Sequence, residues 1–301
     1  MRAARARGDR VRHALLFAVC MASWPAPSHA ADAPAAAGRT LAIRGIRLYV
    51  ETEGHGPPLL LLHGGAGNGM QFEKQRTEFA RSHLIIIPDC RAQGRSTDRP
   101  GPLTYHDMAE DMVALLDRLG VGRVDVMGWS DGGNIGLDLA IHHPGRVAHL
   151  VTFGANFAPD GLQASDRAWN RTATADSFGT GMRDGWTALN PQPEHYEAAM
   201  NKILDMWRTL PRFTAAELGH IQARTLICVG EHDVVRAEHT AELVRRIPGA
   251  ETWTVPGASH SAMIERPDLV NPRVLAFLAT TGVRIKARNR RSARAPTSHV
   301  P

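Results

Sequence analysis

Short apolar runs alternate with amphipathic helical stretches along most of this chain of 301 residues, and this alternation limits the possible folds more than any other feature. The run at 59–62 is apolar at every position, as a strand buried on both faces requires. Other strands are predicted within 40–53 and at 83–87, 123–127, 147–153, 224–229 and 251–255. Helices are predicted at 70–81, 104–119, 133–143, 236–247 and 268–279. Such alternation predicts an α/β fold, in which a mostly parallel sheet is covered by helices on both faces.

Residues 155–222 interrupt this alternation with helical patches, scattered glycines and prolines, and several aromatic residues. A segment inserted between two strand–helix units is expected to form a cap over the end of the sheet. Its aromatic side chains have two possible roles. Trp186 and Trp207 are candidates to line a substrate pocket together with Trp129, and the aromatics of the insertion are equally able to form the small core of the cap itself.

Charge is distributed unevenly along the chain. The formal net charge is +5, but residues 1–30 carry +4 and residues 284–301 carry +6, so residues 31–283 carry −5. An acidic body does not favour binding to nucleic acid. No run of about 18 apolar residues is present, so no membrane-spanning helix is predicted. The expected partner is a small molecule, and a monomer is favoured.

The N-terminal segment has the pattern of an export signal. Arginines precede an apolar stretch at 14–24, and Ser28-His29-Ala30 offers a small-x-small cleavage site. The chain is thereby divided into a signal peptide at 1–30, a linker at 31–39, a folded domain at 40–283 and a basic, disordered tail at 284–301. The prediction is an exported protein, periplasmic or secreted. The alternative is that translation begins at Met21.

The sequence Gly128-Trp129-Ser130-Asp131-Gly132 directly follows an apolar strand and precedes a helix. A chain that turns from strand to helix within a few residues forces the central serine into a strained backbone conformation, and only small neighbours avoid a clash. The hydroxyl then lies at the N-terminus of a helix, where free amides favour an anion. Ser130 is therefore predicted to be an activated nucleophile.

A serine nucleophile needs a base, and the base needs an acid that orients it. Both are expected in loops after later strands, in the chain order serine, acid, histidine. Asp233 and His260 each lie in the loop that follows a predicted strand, so they are the predicted acid and base. The alternatives for the acid are Glu231 and Asp160.

Two backbone N–H groups are needed to stabilise the negative charge that develops on a substrate carbonyl oxygen. The predicted pair is the amide of Asp131, directly after the nucleophile, and that of Gly65 in a glycine-rich loop. His63, at the start of that loop, is interpreted as a bracing residue. The side chain of Asp131 has two interpretations: a carboxylate favoured in the first turn of a helix, or a pocket charge that attracts an ammonium group of the substrate.

No metal or cofactor is predicted. The histidines lack metal-binding spacing, the chain contains no His-Glu-x-x-His, and no glycine pattern for a dinucleotide or phosphate joins a strand to a helix. Downstream of the predicted cleavage site the cysteines are Cys90 and Cys228, too few for a disulfide framework. Their strands are not expected to be neighbours, so both are predicted to be free thiols.

Together these motifs resemble the α/β-hydrolase superfamily over about residues 40–280. The resemblance rests on Leu62-His63-Gly64-Gly65, Asp89-Cys90-Arg91-Ala92-Gln93-Gly94-Arg95-Ser96, Gly128-Trp129-Ser130-Asp131-Gly132-Gly133, Gly230-Glu231-His232-Asp233 and Gly257-Ala258-Ser259-His260. It implies an α/β-hydrolase fold: an eight-stranded, mostly parallel sheet with an antiparallel second strand, a mainly helical cap after the sixth strand, and no cofactor. Ala92 stands where the usual loop has a glycine, which predicts a differently shaped turn.

The serine motif, followed later by Gly154-Ala155-Asn156, is most similar to the valacyclovir-hydrolase and biphenyl-hydrolase-like branch. In that branch the Asp after the nucleophile binds a substrate amino group, which would be Asp131 here. The resulting prediction is an exported, cofactor-free serine hydrolase of carboxylic esters or lactones. A second possibility is an amino-acyl ester or amide hydrolase in which Asp131 binds the amine. A third is a ligand-binding protein whose triad is nearly idle.

Overall fold

The structure is a computed structural model that describes residues 38–280. Its strands are β1 (Arg39–Ile43), β2 (Ile46–Glu53), β3 (Pro58–Leu62), β4 (Leu84–Pro88), β5 (Val124–Trp129), β6 (Val147–Phe153), β7 (Arg224–His232) and β8 (Glu251–Ser259). Its α-helices are α1 (Glu73–Phe79), α2 (Tyr105–Arg118), α3 (Asp131–His142), α4 (Ala164–Thr172), α5 (Gly179–Leu189), α6 (Tyr196–Thr209), α7 (Ala215–Leu218), α8 (Ala237–Arg246), α9 (Ala262–Glu265) and α10 (Pro267–Leu278). The predicted signal peptide, most of the linker and the predicted basic tail lie outside the described residues.

The strands form one sheet in the order β1-β2-β4-β3-β5-β6-β7-β8. β2 pairs antiparallel with β1 and with β4, whereas the remaining pairs are parallel. The predicted architecture, including its antiparallel second strand, is confirmed. Because β4 and β5 lie on opposite sides of β3, the order of the strands reverses there and leaves a crevice at their carboxyl ends.

Side chains of the central strands alternate between two hydrophobic cores, one on each face of the sheet. In β3, Leu60 and Leu62 belong to the core beneath α2 and α3. Leu59 and Leu61 belong to the core beneath α1 and α10. All four leucines are fully buried, which explains why the run at 59–62 lacks the polar alternation of a half-exposed strand.

β7 and β8 extend beyond the predicted strands, which end at residues 229 and 255. The extension is held by backbone pairing, since His232 pairs with Ser259 after a register shift. The side chains of Glu231 and His232 are exposed there, so hydrophobic periodicity does not detect this part of the strand. The two strands run side by side to their ends, and they bring the residues that follow them, Asp233 and His260, together.

The segment between β6 and β7 forms the predicted helical cap, which contains α4 to α7. Hydrogen bonds fasten it to the sheet domain at two places. The amide Nδ2 of Asn190 donates to the carbonyl oxygens of Gly94 and Ser96, at 2.8 and 3.0 Å. The backbone N–H of Gln163 donates to the carbonyl oxygen of Val234 at 2.8 Å. The cap is thus tied to loops at the carboxyl edge of the sheet.

Ala92 adopts a left-handed backbone conformation with a φ of 62°. Glycine adopts this conformation most readily, because a Cβ makes it strained. The alanine is therefore accommodated by local backbone strain in a conformation that glycine adopts more readily.

Cys90 and Cys228 are both free and buried, as predicted. Cys90 follows β4 and Cys228 lies in β7, and three strands separate these two in the sheet. Within residues 38–280, no helix has the length and apolar character needed to cross a bilayer.

Candidate active site

Ser130 lies in the turn between β5 and α3, with a φ of 54° and a ψ of −117°. Residues with a side chain rarely adopt this conformation, which costs on the order of 1–3 kcal/mol. The serine N–H donates to the carbonyl oxygen of Phe153 at 2.7 Å, and its carbonyl oxygen accepts from the N–H of Asn134 at 3.1 Å. Strand β6 and the first turn of α3 therefore hold Ser130 at the helix N-terminus.

Three glycines make this turn possible. A Cβ on Gly128 would lie 2.2 Å from the carbonyl oxygen of Gly132, and a Cβ on Gly132 would lie 2.0 Å from the carbonyl oxygen of Leu62. A Cβ on Gly133 would lie 2.9 Å from that of Ala155. Because all of these separations are shorter than van der Waals contact, α3 approaches the sheet more closely than any side chain would allow.

His260 directly follows β8, and its Nδ1 lies 2.7 Å from Oδ1 of Asp233. The two side chains are 9% and 2% exposed. The Asp233 carboxylate is fixed in turn, because it accepts from the N–H groups of Val235 at 3.0 Å and Gly230 at 3.2 Å. This arrangement leaves Nε2 of His260 as the nitrogen that faces away from the acid.

Two further residues support the imidazole of His260. Gly154 has a φ of 61°, and a Cβ at this position would lie 2.5 Å from Cε1 of His260. Trp129 donates from Nε1 to the carbonyl oxygen of His260 at 2.8 Å. The lack of a side chain at Gly154 leaves room for the imidazole ring, and the indole of Trp129 holds the backbone of His260 in place.

The surroundings of His260 favour its protonated form. Burial acts to lower the pKa of His260, but the charge and hydrogen bond of Asp233 outweigh it, so the pKa is raised above the ordinary value of 6.5. The carboxylates of Asp166, in the cap, and Asp131 act in the same direction. The site therefore stabilises the imidazolium that a base becomes once it has accepted a proton.

His63 braces the loop that carries Gly65. Its Nδ1 donates to the carbonyl oxygen of Gly64 at 2.8 Å, and its Nε2 accepts from the N–H of Cys90 at 2.8 Å. One neutral tautomer satisfies both bonds, and burial lowers the pKa of His63, which keeps the ring neutral. Gly65 and Asp131 both line the same cavity, as the two amides of an oxyanion hole require.

The carboxylate of Asp131 is buried at the start of α3, where it is 4% exposed. The Tyr105 hydroxyl donates to Oδ1 at 2.7 Å, and Nε1 of Trp207, from the cap, donates to Oδ2 at 2.8 Å. Burial raises the pKa of Asp131 from 3.8 to about 6, although the hydrogen bonds from Trp207 and Tyr105 and the charge of His260 act to lower it. Both carboxylate oxygens therefore already accept hydrogen bonds from protein donors.

Ser130, His260, Gly65 and Asp131 line one cavity of about 680 Å³, mouth included, between the sheet edge and the cap. A concave site where several polar groups converge among apolar ones is the usual setting for binding a small molecule. The one group of metal-ligating side chains found among the described residues lies elsewhere, on α2 and α3.

Of the four residues predicted to contact substrate, three line the cavity and one does not. Trp129, Asp131 and Trp207 line the cavity. Trp186 does not: it is 1% exposed and packs against Tyr196, with their ring centroids 5.6 Å apart. The apolar face of α5 turns toward α6 within the cap, so Trp186 is a core residue of the cap, which corrects its assignment to the pocket.

The two alternative acids make other contacts. Glu231 is exposed and its Oε2 accepts from the N–H of Gly257 at 2.7 Å. The carbonyl oxygen of Asp160 accepts from the guanidinium groups of Arg167 and Arg236. It is the carboxylate of Asp233 that lies against the imidazole.

Sequence patterns do not identify Tyr105, Gly154 or Asp166 as parts of the site. Tyr105 falls on the apolar face of the helix predicted at 104–119, where an aromatic residue is indistinguishable from a core residue. The contact between Gly154 and His260 depends on the pairing of β6 with β7, which a local pattern does not contain. A glycine directly after a buried strand is the signal that comes nearest to revealing it.

Comparisons with known proteins identify the family to which this fold belongs. The family described as the alpha/beta hydrolase family matches residues 59–273. A putative carbamate hydrolase RutD from Caulobacter segnis is 37% identical over 246 residues, which cover 74% of this chain and 92% of that protein. A 2-hydroxymuconate semialdehyde hydrolase from a Pseudomonas strain is 36% identical over 218 residues, or 70% of this chain and 69% of that protein.

Solved structures show the same fold. The structure of Est816, described as an N-acyl homoserine lactone degrading enzyme, has a TM-score of 0.65 and 26% sequence identity, and the match covers 79% of this chain and 99% of that one. Fold and cavity together define a hydrolase built on a parallel sheet with a helical cap. The chain belongs to the alpha/beta hydrolase family, as its motifs predict.

The raised pKa of Asp131 predicts a specific pH dependence of stability. The unfolded chain loses the proton of this carboxyl near pH 3.8, whereas the folded chain keeps it up to about pH 6. The free energy of unfolding therefore falls as the pH rises through that range. Asp131→Asn removes this loss. We expect the stability of the variant relative to wild type to increase by about 2–3 kcal/mol between pH 4 and pH 7.5.

Urea denaturation of both proteins across this pH range measures the difference directly. Asp117→Asn is the matched control, because the Asp117 side chain is 63% exposed and pairs with Arg146 on the surface. The difference in unfolding free energy between this variant and wild type should not change with pH by more than about 0.5 kcal/mol. Parallel stability profiles for wild type and Asp131→Asn would contradict the assignment of a raised pKa to this carboxyl.

Proposed function

We propose that this hydrolase is a serine enzyme that cleaves a small carboxylic ester or lactone through an acyl-enzyme, acting as a monomer. One observation carries the proposal: Ser130 and His260 line the same cavity, and the carboxylate of Asp233 lies 2.7 Å behind the ring of His260. A nucleophile, a base and an acid that orients the base are the three parts that this chemistry needs.

In the proposed reaction, the Ser130 hydroxyl attacks the substrate carbonyl carbon while Nε2 of His260 accepts its proton. The amides of Asp131 and Gly65 stabilise the oxyanion, and Asp233 holds the tautomer and stabilises the imidazolium. His260 then protonates the departing alkoxide, which leaves as an alcohol or, from a lactone, remains attached to the acyl group. Water attacks the acyl-enzyme with the same base, and the carboxylic acid is released.

The choice of ester and lactone follows from the site and its relatives. Est816 is described as an N-acyl homoserine lactone degrading enzyme and RutD as a putative carbamate hydrolase, so the names of these similar proteins span more than one kind of carbonyl derivative. The cavity is lined mainly by apolar and neutral groups, such as Trp129, Leu210 and Val234. Such a wall favours a neutral acyl group over a strongly charged one.

The alternative in which Asp131 binds a substrate amine has weaker support. Both oxygens of this carboxylate already accept hydrogen bonds from Tyr105 and Trp207. An ammonium group would have to share those oxygens or displace the donors. A nearly idle, ligand-binding triad is also disfavoured, because binding alone does not require a strained serine backed by an oriented histidine.

Labelling of the nucleophile tests the proposal first. In the full chain, Ser130 should react covalently with a fluorophosphonate probe, and Ser130→Ala should abolish the label and reduce ester turnover by on the order of 10⁶-fold. Ser82→Ala is the control, because Ser82 is exposed in the turn after α1 and should leave both signals unchanged. A folded wild type that never labels, or a Ser130→Ala variant that turns over normally, would exclude the mechanism.

The acid is tested with its two rivals as matched controls. Asp233→Asn should lower kcat by about 10⁴-fold, whereas Glu231→Gln and Asp160→Asn should change it only a few-fold. Since neutral His260 is the active base, kcat/KM should fall as the pH drops through a pKa above 6.5. Removing the Asp233 charge lowers that pKa, so the acidic limb of the Asp233→Asn profile should move to lower pH. An unmoved limb would assign Asp233 a purely structural role.

We also propose that the chain is exported with cleavage after Ala30, on the strength of the charged, apolar and small-residue regions at 1–30. Mass spectrometry of the protein from cell fractions should find a mature chain that begins at Ala31 outside the cytosol. Ala30→Trp, which places a large residue at the cleavage site, should leave the precursor uncut. Wild-type protein found in the cytosol with an intact Met1 or beginning at Met21 would refute export.

A further inference from the structure

Three side chains that commonly bind metals meet on the outer surface of α2 and α3, away from the cavity. The Oδ1 atom of Asp138 lies 2.9 Å from Nδ1 of His106 and 3.2 Å from Nδ1 of His142. One ligand atom from each of the three residues lies within 4.8 Å of the others. Neither the proposed reaction nor the cap involves these residues.

Helix geometry explains why they meet. Asp138 and His142 are four residues apart in α3, so they lie one turn apart on the same face. His106 is the second residue of α2, which packs beside α3, and its ring lies 4.6 Å from that of His142 between centroids. The cluster therefore spans two helices whose positions are set by the hydrophobic core beneath them.

The separations match those of ligands around one metal ion. Zinc binds imidazole nitrogen and carboxylate oxygen at about 2.0–2.2 Å, so two ligands lie about 2.9 Å apart at a right angle and about 3.3 Å apart at a tetrahedral angle. The observed 2.9 and 3.2 Å fall on these values. Nδ1 of His106 forms a hydrogen bond with the Asp138 carboxylate, and Nδ1 of His142 forms one with the carbonyl oxygen of Asp138 at 3.0 Å, so a bound ion would take the place of these bonds.

Burial and ligand type narrow the class of ion. The side chains of His106 and His142 are 54% and 38% exposed, whereas that of Asp138 is 5% exposed. An ion would thus reach a fixed, buried carboxylate from solvent and keep water at its remaining positions. Two imidazoles with one carboxylate suit zinc and neighbouring transition metals, whereas calcium and magnesium require oxygen ligands.

We propose that His106, Asp138 and His142 form a surface site for one divalent transition-metal ion of the zinc class, which clamps α2 to α3. His142 ends the helix whose other end carries Ser130 at its N-cap, and a helix of 12 residues is about 18 Å long. The ion would therefore stabilise the helix that supports the nucleophile without touching the reacting atoms. The site is therefore detected by its affinity for the metal and by a rise in thermal stability when the metal binds, and not by a change in the catalysed reaction.

Zinc binding to the full chain, produced without a polyhistidine tag and stripped with chelator, tests the site by calorimetry. Wild type should bind one Zn²⁺ saturably at the cluster. His106→Ala and His142→Ala should each weaken this binding by more than about tenfold, since even outer contacts of metal sites contribute 10–100-fold. His195→Ala is the matched control, because His195 is 47% exposed and lies near a single carboxylate, that of Glu194. It should bind as wild type does.

Two further measurements separate this cluster from other sites in the chain. Zn²⁺ should raise the Tm of wild type and of His195→Ala but not that of His106→Ala. Cobalt(II) bound to wild type should give a visible absorption band that both cluster variants lose. Absence of saturable binding, or binding and stabilisation that persist in His106→Ala and His142→Ala, would overturn the proposal. Both variants replace exposed histidines, so their fold is checked simply by circular dichroism and Tm without metal.

Discussion

Close packing of backbone against backbone at the start of α3 is the constraint on which the site depends. Gly132 lies so near β3 that an added Cβ would be 2.0 Å from the carbonyl oxygen of Leu62. This contact sets the distance between α3 and the sheet, and the helix in turn holds Ser130 in its strained conformation. The buried leucines of β3 and the hydrogen bonds of Ser130 itself offset that strain. Because the amide of Asp131 begins the same helix, the proposed nucleophile and one amide of the proposed oxyanion hole share one support.

The cap is coupled to this support through a single carboxylate. Asp131 accepts a hydrogen bond from Tyr105 of α2 and another from Trp207 of α6, so one residue joins the nucleophile turn, the sheet domain and the cap. The remaining aromatics of the cap serve its own core, as the packing of Trp186 on Tyr196 shows. A shift of α6 would therefore alter the hydrogen bonding of Asp131, and with it the charge beside the proposed oxyanion hole.

The sequence predicts the features that depend on periodicity and chain order, and it does not predict those that depend on packing across the chain. Apolar runs and alternating patterns together identify every strand, and the positions of Ser130, Asp233 and His260 follow from where those strands end. The contacts of Asp131 join residues 26 and 76 positions apart in three elements, and no local pattern contains them. Trp186 and Trp207 illustrate the limit, since both are tryptophans in amphipathic cap helices, and only the orientation of each helix decides which one reaches the cavity.

The electrostatics of Asp131 bear on which substrates the site can accept. Its amide would stabilise an oxyanion, whereas its carboxylate, on the same residue, would oppose that charge and favours the imidazolium of His260 instead. Tyr105 and Trp207 weaken the opposition, because each donates a hydrogen bond that disperses the negative charge, and burial raises the pKa of the carboxyl to about 6. A cationic substrate in the cavity would neutralise the carboxylate. The hydrogen bonds from Tyr105 and Trp207 already offset part of its negative charge. The proposal of an ester or lactone before an amine-bearing substrate rests on this partial neutralisation of the carboxylate by protein donors.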